Sequence, residues 1–177
     1  MPRIRKHAVF VTEPIKGRKL KTLPGIGKAL EQRLKNKRIP DAKALLGGFV
    51  SAGNKSKFED WMKRKCKANK FQAGECYDFF KEWSKHNIPQ LEILAYLPVT
   101  KLSGLQTSGR NLSDAGYPFA KDIFGMYLLL EECQIRFITW LTRRHAAVNN
   151  NHAQKCFNFL HGWSEKEFLE RNPNAGQ

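Results

Sequence analysis

The sequence lacks the features that mark several classes of protein. No apolar run approaches the roughly 18 residues of a membrane-spanning helix. The N-terminal stretch MPRIRKHAVF contains no apolar segment of about 7–15 residues, so we expect no signal peptide. The four cysteines form no closely spaced pair, which predicts reduced thiols in an intracellular protein.

Catalytic and metal-binding patterns are also missing. There are no paired carboxylates and no Cys–His arrangement that a helical core does not explain, so we predict that the protein is not an enzyme. Four potential zinc ligands lie close together in the sequence: His145, His152, Cys156 and His161. They lack CxxC-type spacing and Cys156 falls on a predicted core position, so we predict no metal site and no cofactor.

Acidic side chains are scarce: 16 Asp and Glu stand against 31 Lys and Arg, which gives a formal net charge of +15. Residues 1–88 contain 22 basic and 8 acidic side chains, a net charge of +14, whereas residues 89–177 contain 9 and 8. Solubility alone does not require so uneven a distribution. We therefore expect the N-terminal half to bind a polyanion, most commonly nucleic acid.

The sequence contains an internal repeat, in which the second copy follows the first at an offset of about 79 residues. LPGIG, which begins at residue 23, recurs as LSGLQ from residue 102. QAGECYDFFKEW, from residue 72, recurs as HAQKCFNFLHGW from residue 152. The repeated tryptophan, cysteine and aromatic positions predict an internal duplication.

Helical patterns run through both copies. Asp41 precedes a helical stripe of apolar residues and is the predicted N-cap, and Ser56-x-x-Glu59 has the spacing of a capping box. No alternating strand pattern is evident. The predicted helical core positions are Cys76, Phe79, Phe80 and Trp83 in the first copy and Cys156, Phe159, Leu160 and Trp163 in the second.

These patterns predict an all-α protein made of two tandem small helical domains. The predicted domains are residues 1–88, with an intact hairpin, and 102–171, with a degenerate one; a linker (89–101) joins them and a tail (172–177) follows. Two prolines in the linker limit helix continuation. Because linkage raises the effective concentration of the two copies, we expect them to pack as an intramolecular pseudo-dimer.

The two glycines of LPGIG favour a tight hairpin between short helices and let a phosphate approach, because no Cβ is in the way. We expect Ile26 to anchor this hairpin in the core. The next helix is expected to begin near Lys28 and to direct its unpaired N–H groups at the same place. This hydrophobic–x–Gly–hydrophobic–Gly pattern is typical of a helix-hairpin-helix that holds phosphate without reading bases.

The second copy departs from this pattern. Gln106 replaces Gly27, the segment 103–112 is one residue shorter than 24–34, and Arg110 is the cation that remains. A side chain therefore stands where the backbone would meet phosphate. We predict that the second copy does not bind DNA and is kept for its packing surface.

Residues 6–86 resemble the barrier-to-autointegration factor family of small metazoan chromatin proteins. The resemblance rests on KHAVFVTEP, LPGIGKALEQRL, DAKALLGGF, FEDWMKRKCKAN and the Cys76–Trp83 helix; residues 102–168 resemble a divergent second copy. It implies a SAM-like helix-hairpin-helix fold, homodimers, sequence-independent binding of double-stranded DNA, and residence on chromatin in the nucleus, with the cytoplasm as a further compartment. LEM-domain proteins are a further implied partner, although the altered interface segments 50–53 and 128–130 argue against them.

The resemblance also supplies candidate contacts with DNA. These are Lys6, Gly25, Ile26, Gly27, Ala29, Leu30, Arg33 and Lys70, and the position of Lys28 directly after the hairpin adds that residue to the set. Lys70 stands beside Phe71, which occupies the position of a DNA-contacting lysine in the family. The family's N-terminal Ser and Thr targets of a kinase are missing here, since no hydroxyl residue precedes Thr12.

Other functions stay open at this point. A chain with one intact hairpin could be a regulator that pairs with a conventional family member and limits its DNA bridging or its nuclear-envelope contacts. Alternatively, two such chains could form a homodimer with two intact sites. RNA binding is disfavoured because the sequence shows no exposed aromatic platform.

Overall fold

The computed structural model describes residues 11, 13–145 and 148–169, which form helices and short turns. The α-helices are α1 (Lys28–Asn36), α2 (Ala42–Ala52), α3 (Lys55–Cys66), α4 (Lys70–Asn87), α5 (Leu91–Tyr96), α6 (Gly109–Asp114), α7 (Ala120–Leu129), α8 (Gln134–Arg144) and α9 (Asn150–Leu169). Short 3-10 helices span Leu20–Thr22 and Val99–Lys101. The described residues contain no β-strand beyond an isolated bridge between Pro98 and Phe119, so the predicted all-α class is confirmed.

The two repeats follow the same order of elements. The 3-10 helix Leu20–Thr22 and helices α1–α4 correspond to the 3-10 helix Val99–Lys101 and helices α6–α9. Helix α5 lies between the repeats, within the segment 89–101 that we predicted as a linker, and packs against α7. That segment therefore forms ordered structure and belongs in part to the second repeat.

Helix starts follow from capping side chains. Asp41 caps α2 as predicted, its Oδ1 accepting a hydrogen bond from the Ala44 N–H at 2.9 Å. The capping box predicted at Ser56 is wrong: α3 begins at Lys55, and Asn54 Oδ1 accepts from the Lys57 N–H at 2.9 Å. Asn and Ser are equally favourable N-caps, so residue preference alone does not decide whether the helix is capped by Asn54 or by Ser56.

The core of the first repeat forms as the helical pattern predicts. Cys76, Phe79, Phe80 and Trp83 are all buried. The indole Nε1 of Trp83 also donates a hydrogen bond to the Glu13 carbonyl at 2.9 Å, and Asn87 Nδ2 donates to the Val11 carbonyl at 2.8 Å. These bonds hold the segment that precedes the hairpin against α4.

The predicted core face of the second repeat is wrong in part. Cys156 and Leu160 are buried, but Phe159 is 42% exposed and Trp163 is half-buried. Phe157 takes a core place instead. In the first repeat, residues that precede the hairpin cover α4, whereas the residues that precede the second hairpin form α5 and pack on α7.

Helices α2 and α7 cross at two glycines that occupy equivalent positions in the repeats. A Cβ added to Gly47 would lie 2.6 Å from the Gly125 carbonyl oxygen, and one added to Gly125 would lie 2.8 Å from that of Gly47. The same Cβ on Gly125 would lie 2.1 Å from Ser51 Oγ. The backbones therefore touch at the crossing, and the reciprocal contact makes the repeats a pseudo-dimer.

A partly buried ionic contact also joins the two repeats. Lys43 Nζ of the first repeat lies 2.5 Å from Glu132 Oε1 of the second. That oxygen also accepts a hydrogen bond from Ser164 Oγ at 2.8 Å. Both charged side chains are largely shielded from water, so the pair fixes the register of the two repeats as well as attracting them.

The glycine crossing predicts a stability effect. Gly125→Val should lower the free energy of unfolding by about 1–3 kcal/mol or more, because two methyl groups would have to enter backbone contacts. Gly162→Ala in α9 is the matched control: an added Cβ meets no described atom within 4 Å. That change should raise stability by about 0.5–1 kcal/mol. Urea unfolding followed by circular dichroism measures both, and an unaltered Gly125→Val protein would contradict the crossing.

A buried histidine predicts a pH dependence. The His145 ring packs edge-on against Tyr117 and Trp140, with ring centroids 5.3 and 5.4 Å apart. Burial lowers the pKa of His145 from its usual 6.5, and the charge of Arg144 lowers it further. The folded state thus favours the neutral ring, and this contribution to stability should be lost as pH falls below about 6.5. The melting temperature of His145→Phe should fall less than that of the natural protein between about pH 6.5 and 5; an identical fall would refute the assignment.

Candidate nucleic-acid interface

The hairpin of the first repeat is a bend between the 3-10 helix and α1. The Ile26 N–H closes the bend by donating to the Leu23 carbonyl at 3.2 Å. The Ile26 side chain is buried in the core, where we expected it to anchor the hairpin. The Ile26 side chain therefore anchors the bend in the core, and Gly25 and Gly27 leave two positions of the bend without a side chain.

Gly25 is a glycine that the fold requires. Its φ of +76° lies in the left-handed region that side chains disfavour. A Cβ there would also lie 2.1 Å from the Gln72 carbonyl oxygen, which belongs to the backbone and cannot easily move. Gly25 thus lets the bend pack directly on the first turn of α4.

Gly27 is a glycine that the fold does not require. Its φ of −96° and ψ of 176° are open to any residue. A Cβ at this position would meet no atom of the described residues within 4 Å. No packing contact of the described residues therefore requires glycine at this position.

Gly27 is also the N-cap of α1, and no side chain of the described residues caps this helix end. The first hydrogen bond from the helix to its cap joins the Glu31 N–H to the Gly27 carbonyl at 2.9 Å. The amides of Lys28, Ala29 and Leu30 precede it and have no partner within the helix. The helix thus begins with three N–H donors that lack a helical partner and with the positive end of its dipole, next to the exposed residues Gly27, Lys28 and Ala29, which suits an anion such as phosphate.

Side chains around these amides divide into two groups. Those of Ile26 and Leu30 are buried, so these residues can reach a ligand only through their main chain. Lys28 and Ala29 are exposed. A ligand at the bend would meet bare amides with one cation beside them.

More cations lie around the bend. Arg33 Nη1 donates to the Cys66 carbonyl at 3.2 Å and so holds α1 against the C-terminal end of α3. That end carries exposed basic side chains that our prediction did not single out: Lys63, Arg64, Lys65 and Lys67. The sequence signal for them was the run KRKCK.

Lys70 and Lys6 complete the predicted set. Lys70 is exposed at the start of α4, two residues before the Gln72 carbonyl on which Gly25 packs. The fold therefore brings it to the hairpin. Lys6 lies outside the described residues, and its role stays a prediction.

The second repeat keeps one hairpin glycine and lacks the other. Gly104 has a φ of +81°, and a Cβ there would lie 2.3 Å from the His152 carbonyl oxygen. This glycine serves the fold as Gly25 does. At the position of Gly27 stands Gln106, which is exposed.

The helix after the second bend has also lost its first turn. Helix α6 begins only at Gly109 and has 6 residues, against 9 in α1. The Gly109 N–H is engaged by the Leu105 carbonyl at 2.8 Å, and Ser108 before it is buried. The second repeat thus differs from the first at this point in two ways: its helix begins later and is shorter, and the exposed Gln106 replaces Gly27.

The described residues show no alternative chemical centre. They contain no group of three or more His, Cys, Asp or Glu side chains placed to hold a metal ion. Burial raises the pKa of the Cys156 thiol to about 12, so it stays protonated at neutral pH. His161 is engaged through Nδ1 with the Tyr127 hydroxyl at 2.9 Å. Among the helices of the described residues, none is both long enough and apolar enough to cross a membrane.

Fold and site together define an all-α tandem-repeat protein whose first repeat carries a helix-hairpin-helix with exposed amides. The family model for barrier to autointegration factor matches residues 1–87 and again residues 92–167. The chain therefore belongs to the barrier-to-autointegration factor family, as a tandem duplication.

Curated relatives match one repeat of this chain. Barrier-to-autointegration factor A of Xenopus laevis is 40% identical over 80 residues, which is 45% of this chain and 89% of the relative. The Drosophila melanogaster barrier-to-autointegration factor is 38% identical over 80 residues, or 45% of this chain and 89% of its own length. The Homo sapiens barrier-to-autointegration factor is 34% identical over 80 residues, which is 45% of this chain and 90% of the relative. No solved structure gives a significant match.

The different roles of the two glycines predict opposite stability effects. Gly25→Ala should lower the free energy of unfolding by about 2 kcal/mol or more, through left-handed strain and the clash with Gln72. Gly27→Asp should raise it by about 0.5 kcal/mol, because Asp can cap the uncapped end of α1 and complement its dipole. Denaturant unfolding of the two variants measures both effects. Equal destabilisation by the two substitutions would contradict this division of roles.

Proposed function

We propose that this protein binds double-stranded DNA without sequence preference, through the phosphate backbone and the first repeat. The observation that carries the proposal is the uncapped N-terminus of α1, where the first amides have no partner within the helix and Gly27, which the fold does not need, leaves the approach open. The net charge of +14 on residues 1–88 supplies the long-range attraction. Membership of the barrier-to-autointegration factor family supports the same function.

In the proposed mechanism, a phosphate group accepts hydrogen bonds from the amides of Lys28, Ala29 and Leu30. Gly27 leaves room for the phosphate to come within hydrogen-bonding distance, and the helix dipole favours its negative charge. Lys28, Arg33 and Lys70 add charge around this point. Because each contact reaches phosphate and none reaches a base edge, binding is independent of sequence.

The second repeat serves as a packing partner in this proposal. Its hairpin is occupied by Gln106, its first helical turn is missing, and residues 89–177 carry a net charge near zero. The protein acts by binding on chromatin in the nucleus, and we propose no catalytic step.

A non-bridging regulator is the second candidate function. The face of α2 around Gly47 is already covered by α7 of the same chain. A chain built in this way presents one phosphate site and cannot link two duplexes by itself. By occupying DNA, the protein would prevent a family member with two phosphate sites from bridging that DNA. This regulation would not require the two proteins to pair.

A charge-matched pair of variants tests the DNA site. Gly27→Asp should weaken binding to a 20-base-pair duplex by about 100-fold or more, because a carboxylate would take the place of the phosphate and repel it. Gln106→Asp adds the same charge at the equivalent position of the second repeat and should leave the affinity within about twofold. Fluorescence anisotropy measures both. Equal losses would show that net charge, and not the α1 amides, decides binding.

Two further substitutions exchange the hairpin residues. Gly27→Gln copies the second repeat into the first and should remove most binding, whereas Gln106→Gly should create no second site because the helix after it is also short. Affinity of the natural protein should fall by about 0.9 log units per log unit of salt for each phosphate neutralised. A Gly27→Gln protein with natural affinity and salt slope would refute the proposed function.

A further inference from the structure

Phe71 is a large aromatic side chain that the fold leaves in solvent. It is 65% exposed, whereas Phe58, Phe79 and Phe80 of the same repeat are fully buried. The other large apolar side chains exposed among the described residues are Ile93, Tyr96, Phe119, Ile135 and Phe159. Those lie beyond residue 88, so Phe71 is the member of this set that stands in the basic half of the chain.

The position of Phe71 is fixed beside the hairpin. A Cβ on Gly25 would lie 2.1 Å from the carbonyl oxygen and 3.2 Å from the Cα of Gln72, the next residue after Phe71. The bend and the first turn of α4 are therefore in backbone contact. The turn that carries Phe71 therefore adjoins the bend at which we propose that DNA binds.

The turn that carries Phe71 is rigid without help from the ring. Asn69 Oδ1 accepts from the Gln72 N–H at 2.8 Å, and Gln72 Oε1 accepts from the Asn69 N–H at 3.0 Å. This reciprocal capping box fixes the start of α4 and uses an amide that a second phosphate would need. The start of α4 therefore holds the Phe71 side chain in a fixed position and does not form a second phosphate site.

We propose that Phe71 is a DNA-contacting wedge, whose ring stacks on a base where the duplex is interrupted or mispaired. This inference rests on the proposed function and adds a ligand preference to it. Apolar side chains that accompany backbone contacts can enter a groove and unstack a base step. Unstacking costs least where a base already lacks its partner or neighbour, so the ring favours gapped or mismatched duplex over perfect duplex.

The test compares two 30-base-pair duplexes of one sequence, one perfect and one with a central single-nucleotide gap. The measured quantity is the ratio of their dissociation constants for each protein. The natural protein should bind the gapped duplex about fivefold more tightly, in keeping with one stacked base. Phe71→Ala should bring the ratio to about 1, and Phe71→Trp should keep it at or above the natural value.

Lys70→Ala is the matched control on the neighbouring residue. Loss of a phosphate-directed cation should weaken binding to both duplexes by the same factor and leave the ratio unchanged. Because Phe71 is exposed and the turn is capped by Asn69 and Gln72, Phe71→Ala should keep the natural melting temperature.

Two results would overturn the wedge: a ratio near 1 for the natural protein, or a fivefold ratio that survives in Phe71→Ala. The Gly27→Asp variant separates this failure from failure of the proposed function. If Gly27→Asp abolishes binding to both duplexes while Phe71→Ala leaves the ratio unchanged, only the wedge is wrong. If Gly27→Asp binds both duplexes normally, the phosphate site itself is wrong.

Discussion

The row of unpaired amides at the start of α1 is the feature on which the rest of this account depends. Lys28, Ala29 and Leu30 can donate outward because no side chain stands at Gly27 and none caps the helix. The surrounding structure holds that row in place: Ile26 fixes the bend in the core, and Gly25 seats it on α4. The two glycines of the bend thus differ: the packing of the bend on α4 requires Gly25, whereas no contact of the described residues requires Gly27.

The internal duplication allows each glycine of the first repeat to be compared with its equivalent in the second. The second repeat keeps Gly104, which its fold needs, and has Gln106 where an open glycine would stand. It also keeps Gly125, because α2 and α7 could not otherwise approach to backbone contact. The residues that serve packing are thus the ones that the two repeats share, and the proposed phosphate site is confined to the first repeat. The reciprocal contact of Gly47 and Gly125 joins the two repeats in one chain.

Much of this arrangement could be predicted from sequence, because the deciding forces are local. The cap at Asp41, the start of α1 at Lys28 and the buried face of α4 follow from residue type and helical spacing. The exposure of Phe159 could not be predicted, because burial there depends on which segment covers the helix. The crossing at Gly47 could not be predicted either, because the need for glycine there depends on the contact with Gly125, which the sequence does not reveal. Exposure of Phe71 in the basic half likewise became visible only with the fold.

The central claim is tested most directly by observing the amides themselves. We would label the protein with ¹⁵N, add a short duplex, and follow the N–H resonances of Lys28, Ala29 and Leu30 alongside those of Thr107, Ser108 and Gly109. The account predicts large downfield proton shifts and slowed hydrogen exchange at the first three amides, with the second three unchanged. Unperturbed amides at α1 in a DNA-bound protein, or equal shifts in both repeats, would contradict it.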